Sequence, residues 1–131
     1  MGKTYFFTGE HYTRAEIFSR YGIVSPNISR THKHLMKSFT PLVDPHTGQT
    51  TNFVFFTVDN DYCYNDSHHF DEVHGEHHHK WVKNKRLQWP GVGTEVHIMT
   101  RVGRNSRFLY RGAACAVYEN PTHVWFSGTD Y

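Results

Sequence analysis

The 131-residue chain predicts an α+β fold: a small, curved, mostly antiparallel β-sheet or barrel with one or two short helices. Three observations carry this expectation. Short runs of aromatic and β-branched residues recur between clusters of turn formers. Complete helix start and stop signals surround only one segment. Aromatic residues make up 16% of the chain, enough to furnish the core of one domain spanning residues 1–131.

Taken in order, Lys3–Thr8 (KTYFFT) alternates and reads as a strand. In HYTRAEIFSRYG, Thr13 and Glu16 form a capping box, Tyr12 is placed to staple onto Ile17, and Gly22 can close the C-terminus. A helix over about Arg14 to Tyr21 follows, and its expected role is to plug one end of the sheet. Ser25 to Thr50 holds Pro26, Pro41, Pro45 and Gly48 and reads as irregular. Thr51–Val58 (TNFVFFTV) is a continuous apolar run and the best central strand. The histidine-rich stretch after it has no clean period, although HKWVKN is compatible with a short strand. Glu95–Val102 reads as a strand and GRNS as a turn. Arg107–Glu119 reads as a strand with a bend or bulge at Gly112, and His123–Gly128 closes the chain as the last strand. Five or six strands are expected in all.

Composition excludes several classes. No apolar run approaches the roughly 20 residues of a membrane helix, and MGKTYFF lacks the apolar region of a signal peptide. A cytoplasmic location and no membrane partner are therefore expected. Cys63 and Cys115 are too few for a disulfide framework and read as reduced thiols. Nucleophile elbow, Walker loop, dinucleotide-binding glycines and H-E-x-x-H are absent, so no enzyme and no cofactor are expected. Asp59 and Asp61 lack the E-x-K of a nuclease trio. His78, Asn84 and His97 can be set in the order of a ββα-metal nuclease, but nothing around them supports it.

Charge is unevenly spread. Ser38 to His79 carries seven carboxylates and no Lys or Arg, whereas Lys80 to Arg111 carries eight basic residues against Glu95 alone. That excess marks a phosphate-binding surface built from Lys80, Lys83, Lys85, Arg86, Arg101, Arg104 and Arg107, with Arg111 beside them. Beside it lie Tyr62, Tyr64, Asp66 and Trp81. Rings can stack an extruded base while a carboxylate reads its edge, so these four form a candidate base pocket. The core is the expected place for Phe53, Phe55, Phe56 and Trp125. Six histidines fall between residues 68 and 79. If they bound a metal, His74, His77 and His79 would be the donors. On a segment that reads as a loop they do not make a structural metal site, and they are taken as a surface whose charge depends on pH.

The order of these pieces resembles a family, the domain at the C-terminus of helicase-type modification-dependent restriction proteins. That domain is similar to the SET- and RING-associated (SRA) and PUA-like readers of modified bases. Its "YTRDEI…G" helix is matched by Tyr12–Ile17 and Gly22, and its "FFVTL" strand by Phe55–Val58. The "YRD" element is matched by Tyr64–Asp66, and the "F-H-W" element by His79–Trp81, which keeps only the tryptophan. The later strands are matched by Phe108–Gly112 through Tyr118 and by Val124–Phe126. The family's segment between "YRD" and the tryptophan is shorter, so the histidines fall in an insertion. The resemblance implies an SRA/PUA-like fold that binds double-stranded DNA and flips out a 5-methyl- or 5-hydroxymethylcytosine. It would be the specificity module of a restriction system, with a nuclease domain in the same chain or complex. The rival readings are a metal-dependent nuclease using the acidic, histidine-rich segment and a PUA-like RNA-binding module.

Overall fold

The computed structural model describes residues 5–24, 30, 39–57, 68–73, 76–82, 90–103 and 105–127; for 68–73 and 76–82 it describes strand course and register. Among these residues there are eight strands and one helix. They are β1 (His11–Tyr12), α1 (Arg14–Ser19), β2 (Phe39–Val43), β3 (Thr50–Thr57), β4 (His68–Val73), β5 (Glu76–Val82), β6 (Glu95–Arg101), β7 (Phe108–Glu119) and β8 (His123–Ser127). The domain is thus more β-rich than expected. Among the described residues no helix is long and apolar enough to cross a membrane.

The strands form one sheet in the order β2-β3-β6-β7-β8-β5-β4, with β1 added to β7. Every pairing is antiparallel except β3 with β6, which run parallel. The sheet is strongly curled. In a flat sheet the three steps from β3 to β8 would separate facing side chains by about 14 Å. The rings of Phe56 and Phe126 instead lie 6.4 Å apart.

Curling gives two cores. The concave one holds Phe39, Val54, Phe56, Val96, Ile98, Ala114, Ala116, Val124 and Phe126. The convex face is covered by α1 and the N-terminal segment, which bring Phe6, Ile17, Phe18 and Tyr21 onto Phe53, Phe55, Met99, Phe108 and Tyr110. The helix therefore covers a face of the sheet and does not plug its end. Phe53, Phe55, Phe56 and Trp125 are all buried, as expected.

One irregularity lets β7 serve both cores. Met99 pairs with Tyr110 but Ile98 pairs with Gly112, so Arg111 is an extra residue in the ladder. Gly112 has φ +103°, a conformation that glycine adopts without penalty. Before the bulge, Phe108 and Tyr110 belong to the convex core; after it, Ala114 and Ala116 belong to the concave one. Even-numbered residues are buried on both sides of the bulge, so the sequence alternation continues while the face it serves changes.

The capping signals act as read. The Thr13 hydroxyl accepts from Glu16 N–H and the Glu16 carboxylate accepts from Thr13 N–H, each at 3.1 Å. The helix stops at Ser19, two residues early. It closes through Ile23 N–H to Phe18 O and Gly22 N–H to Ser19 O, each at 3.1 Å, with Gly22 at φ +77°. The Tyr12 ring packs edge-on against Phe6 at 4.9 Å.

Three expectations fail. Tyr5–Thr8 is not a strand. The segment turns, with Glu10 N–H donating to Phe7 O, and joins β7 only from Gly9 onward. The irregular stretch around Pro41 contains β2. Proline is tolerated there because β2 is an edge strand among the described residues, paired there with β3. The histidine-rich stretch is not a loop: it supplies the β4–β5 hairpin, and β5 pairs onward to β8. Cys115 is a free thiol.

Candidate functional site

The predicted basic surface divides. Lys83, Lys85, Arg86 and Arg104 lie outside the described residues, as do Tyr62, Tyr64 and Asp66 of the base pocket and His74. Lys80 is in β5, in register with His69 and Trp125; Trp81 is in register with His68 and Val124.

Of the arginines at the β6–β7 hairpin, Arg101, Arg107 and Arg111 are described. Arg101 ends β6 in register with Thr57, and its Nε donates to the Thr57 hydroxyl at 2.8 Å. Its guanidinium lies over the Phe108 ring, 4.5 Å from the centroid. Arg14, the first residue of α1, lies 5.1 Å from the same centroid and 4.4 Å from that of Phe55. Such contacts contribute about 0.5–2 kcal/mol each and fix the cations in place. The β1–β7 pairing, Tyr12 with Phe108, brings the first turn of α1 beside exposed Arg107. Glu16 feels this neighbourhood. Its carboxyl is held below the usual range first by the Thr13 N–H, then by the Thr13 hydroxyl, with smaller effects from Arg107 and Arg20. Arg111 goes elsewhere: its Nε donates to the Thr100 hydroxyl at 3.0 Å, and Thr100 alternates with Met99 and Arg101 along β6. The hairpin end thus gathers Arg101 and Arg107 with Arg14, which lies outside the basic segment that the charge count singles out.

At the opposite end of β6, about 20 Å away at strand rise, is a second feature that sequence reasoning missed. An open cleft of about 250 Å³ is lined by Gln49, Thr50, Thr51, Asn52, Glu95 and His97. His97 is 7% exposed. Its Nδ1 is 2.7 Å from the Tyr110 hydroxyl, and its Nε2 is 3.8 Å from a Glu95 carboxylate oxygen. The ring stacks on Tyr110 and tilts against Phe53. Burial pushes the imidazole pKa down, and the Glu95 charge opposes this more weakly. The amide of Asn52 donates to the Glu95 carbonyl, tying β3 to β6 at the cleft wall. In sequence His97 is one polar residue within an apolar strand; its signal emerges only when β7 supplies Tyr110.

Among the residues whose side chains are described, no group of three His, Cys, Asp or Glu is placed to hold a metal ion. No family model, curated protein or solved structure matches the chain.

Proposed function

We propose that the domain binds duplex DNA through the basic β6–β7 end of its sheet and senses a modified cytosine, 5-methyl or 5-hydroxymethyl, by flipping it. The observation that supports DNA binding is the convergence of Arg14, Arg101 and Arg107 around Phe108 and the first turn of α1. Fixed guanidinium groups suit phosphate oxygens, and phosphate contacts supply most non-specific affinity. Lys80 to Arg86 and Arg104 extend the same charge in sequence. The finer reading rests on the resemblance to SRA/PUA-like modified-base readers. On that reading Tyr64 and Trp81 stack the extruded base, Tyr62 borders it, and Asp66 accepts from the cytosine amine. Cleavage belongs to a nuclease domain in the same chain or complex.

The test is a pair of measurements by fluorescence anisotropy. In the first, affinity for an unmodified duplex is followed against salt. Arg107→Glu combined with Arg101→Gln should weaken binding to every sequence alike and flatten the log–log salt slope by roughly 2, about one unit per phosphate contact. In the second, matched duplexes with cytosine, 5-methylcytosine and 5-hydroxymethylcytosine are compared. Tyr64→Ala, Trp81→Ala and Asp66→Ala, checked for folding by melting, should erase the preference and leave salt-dependent binding. Tight binding by the arginine variant at low salt rejects the surface. A parent that prefers no modification rejects the reader, and a preference for single-stranded RNA favours the RNA-binding alternative.

A further inference from the structure

The histidines remain unexplained by DNA binding, and the sheet gives them an order that the sequence hides. Pairing of β4 with β5 and of β5 with β8 sets the histidine positions in register rows that alternate between the two faces. One set of alternate rows reads Glu72 with His77, then Phe70 with His79 and Phe126, then His68 with Trp81 and Val124. The intervening set reads Asp71 with His78 and Ser127, then His69 with Lys80 and Trp125. The first set therefore carries three histidines and one carboxylate, with Glu72, His77 and His79 in adjacent rows and His68 one row further on; the second carries His69 and His78 with Asp71, and Glu76 in the row beyond. Lys80 sits in the second set, where an ammonium opposes a bound cation. The rows of the first set contain no lysine or arginine.

We propose that Glu72, His77 and His79 form a binding site for a divalent metal of the zinc and iron(II) class. The spacing suits it. Residues two apart on a strand are about 6.5–7 Å apart at Cα, and directly paired residues about 4.5–5.5 Å. Imidazole and carboxylate ligands bond these metals at about 2.0–2.2 Å, so three donors at such spacings can share one ion. Imidazole is the common ligand of zinc, copper, iron and nickel, and calcium and magnesium take oxygen donors instead. Two imidazoles and one carboxylate leave coordination positions for water or a bound molecule.

The experiment uses the whole chain, freed of metal by a chelator and dialysed, and titrates it with Zn²⁺ and with Co²⁺. The expected result is saturable uptake of one metal per chain at micromolar concentration, with the visible bands of Co²⁺ in a low-symmetry nitrogen and oxygen site. His77→Ala and His79→Ala should each weaken binding by at least about 10-fold, the lower end of what even supporting residues of metal sites contribute. Glu72→Gln should weaken it too, whereas His69→Ala and His78→Ala should leave it unchanged within error. Because a variant can disturb the hairpin, the parent is also followed by long-range ¹H–¹⁵N NMR of its imidazoles, where Zn²⁺ should shift the ring nitrogens of His77 and His79 first. Absence of saturable uptake overturns the proposal. So does loss of binding in the His69 or His78 variants alone. A third overturning result is an equal small loss from every histidine variant with several metals per chain, which is adventitious histidine binding only.

Discussion

Substituting His97 by asparagine tests the buried polar cluster through the pH dependence of stability. His97 is 7% exposed, and its close polar partner among the described residues, the Tyr110 hydroxyl at 2.7 Å, carries no charge. A carboxylate, Glu95, is 3.8 Å away, on the same strand and exposed to solvent. Desolvation therefore outweighs attraction, and the imidazole pKa lies below its ordinary 6.5. The unfolded chain then takes up the His97 proton at a higher pH than the folded one does. Stability is complete above about 6.5 and falls as pH drops through the window from 6.5 to the lowered folded value. One proton sets the ceiling on this slope at about 1.4 kcal/mol per pH unit. Urea unfolding at closely spaced pH values between 7.5 and 5 gives the stability of parent and variant. The variant should be less stable throughout, because Tyr110 loses its partner, but its curve should be flatter across that window. Histidines with the same pKa in both states cancel from the difference. Curves that run parallel would refute the reasoning, because they would mean that His97 has the same pKa folded and unfolded, and a parent that gains stability over the variant as pH falls would mean that it is paired as a cation.

Other substitutions follow from the packing. Thr13→Ala removes the cap of α1 and should destabilise by about 1 kcal/mol, read from the urea midpoint. Phe55→Ala opens the convex core and removes a ring beneath the Arg14 guanidinium; a loss of about 3–5 kcal/mol is expected in the same assay. Gly22→Ala forces a side chain into a left-handed conformation with its Cβ 3.3 Å from Pro45 Cγ, and about 1–2 kcal/mol should be lost. The Tyr5 hydroxyl donates to Asp44, and this bond is the first cause of that carboxyl's lowered pKa, ahead of the His46 N–H. Tyr5→Phe should move the Asp44 titration upward in carboxyl-detected NMR, and an unchanged midpoint would assign the shift to the backbone donors.

The elements legible in the sequence were those that carry their own local physics. The capping box around Thr13, the glycine closure at Gly22, the apolar run of β3 and the bend at Gly112 each depend on neighbours within a few residues. Elements that draw their reason from distant chain were hidden. β2 contains Pro41 and reads as a breaker until its place at the sheet edge is known. In β4 and β5 the alternation is carried by histidine and acid, so no apolar period marks it. The parallel contact of β3 with β6, and the division of apolar residues between two faces, follow only from the curl of the sheet. The same holds for the sites. The charge of the basic segment was visible, but not that Arg111 leaves the group or that Arg14 joins it from α1. His97 gave no signal because its meaning depends on Tyr110.

The extra residue at Arg111 has a consequence for how this chain can change length. Because it shifts which face receives the even-numbered side chains, it acts as a frame setter for the rest of β7. Losing Arg111 itself would remove only the extra residue: Met99 would stay with Tyr110, Ile98 with Gly112 and Val96 with Ala114, so Ala114 and Ala116 would keep the concave face. Losing a paired residue beyond it, such as Ala113, would turn Ala114 and Ala116 toward the convex side and aim Cys115 at the concave core, in a space now filled around small residues. Gain or loss of a residue in the turn at Gly103–Ser106 lies before the frame is set and spares that alternation. Length variation is thus tolerated in the turn and at Arg111 and barred along the ladder between Gly112 and Ala116.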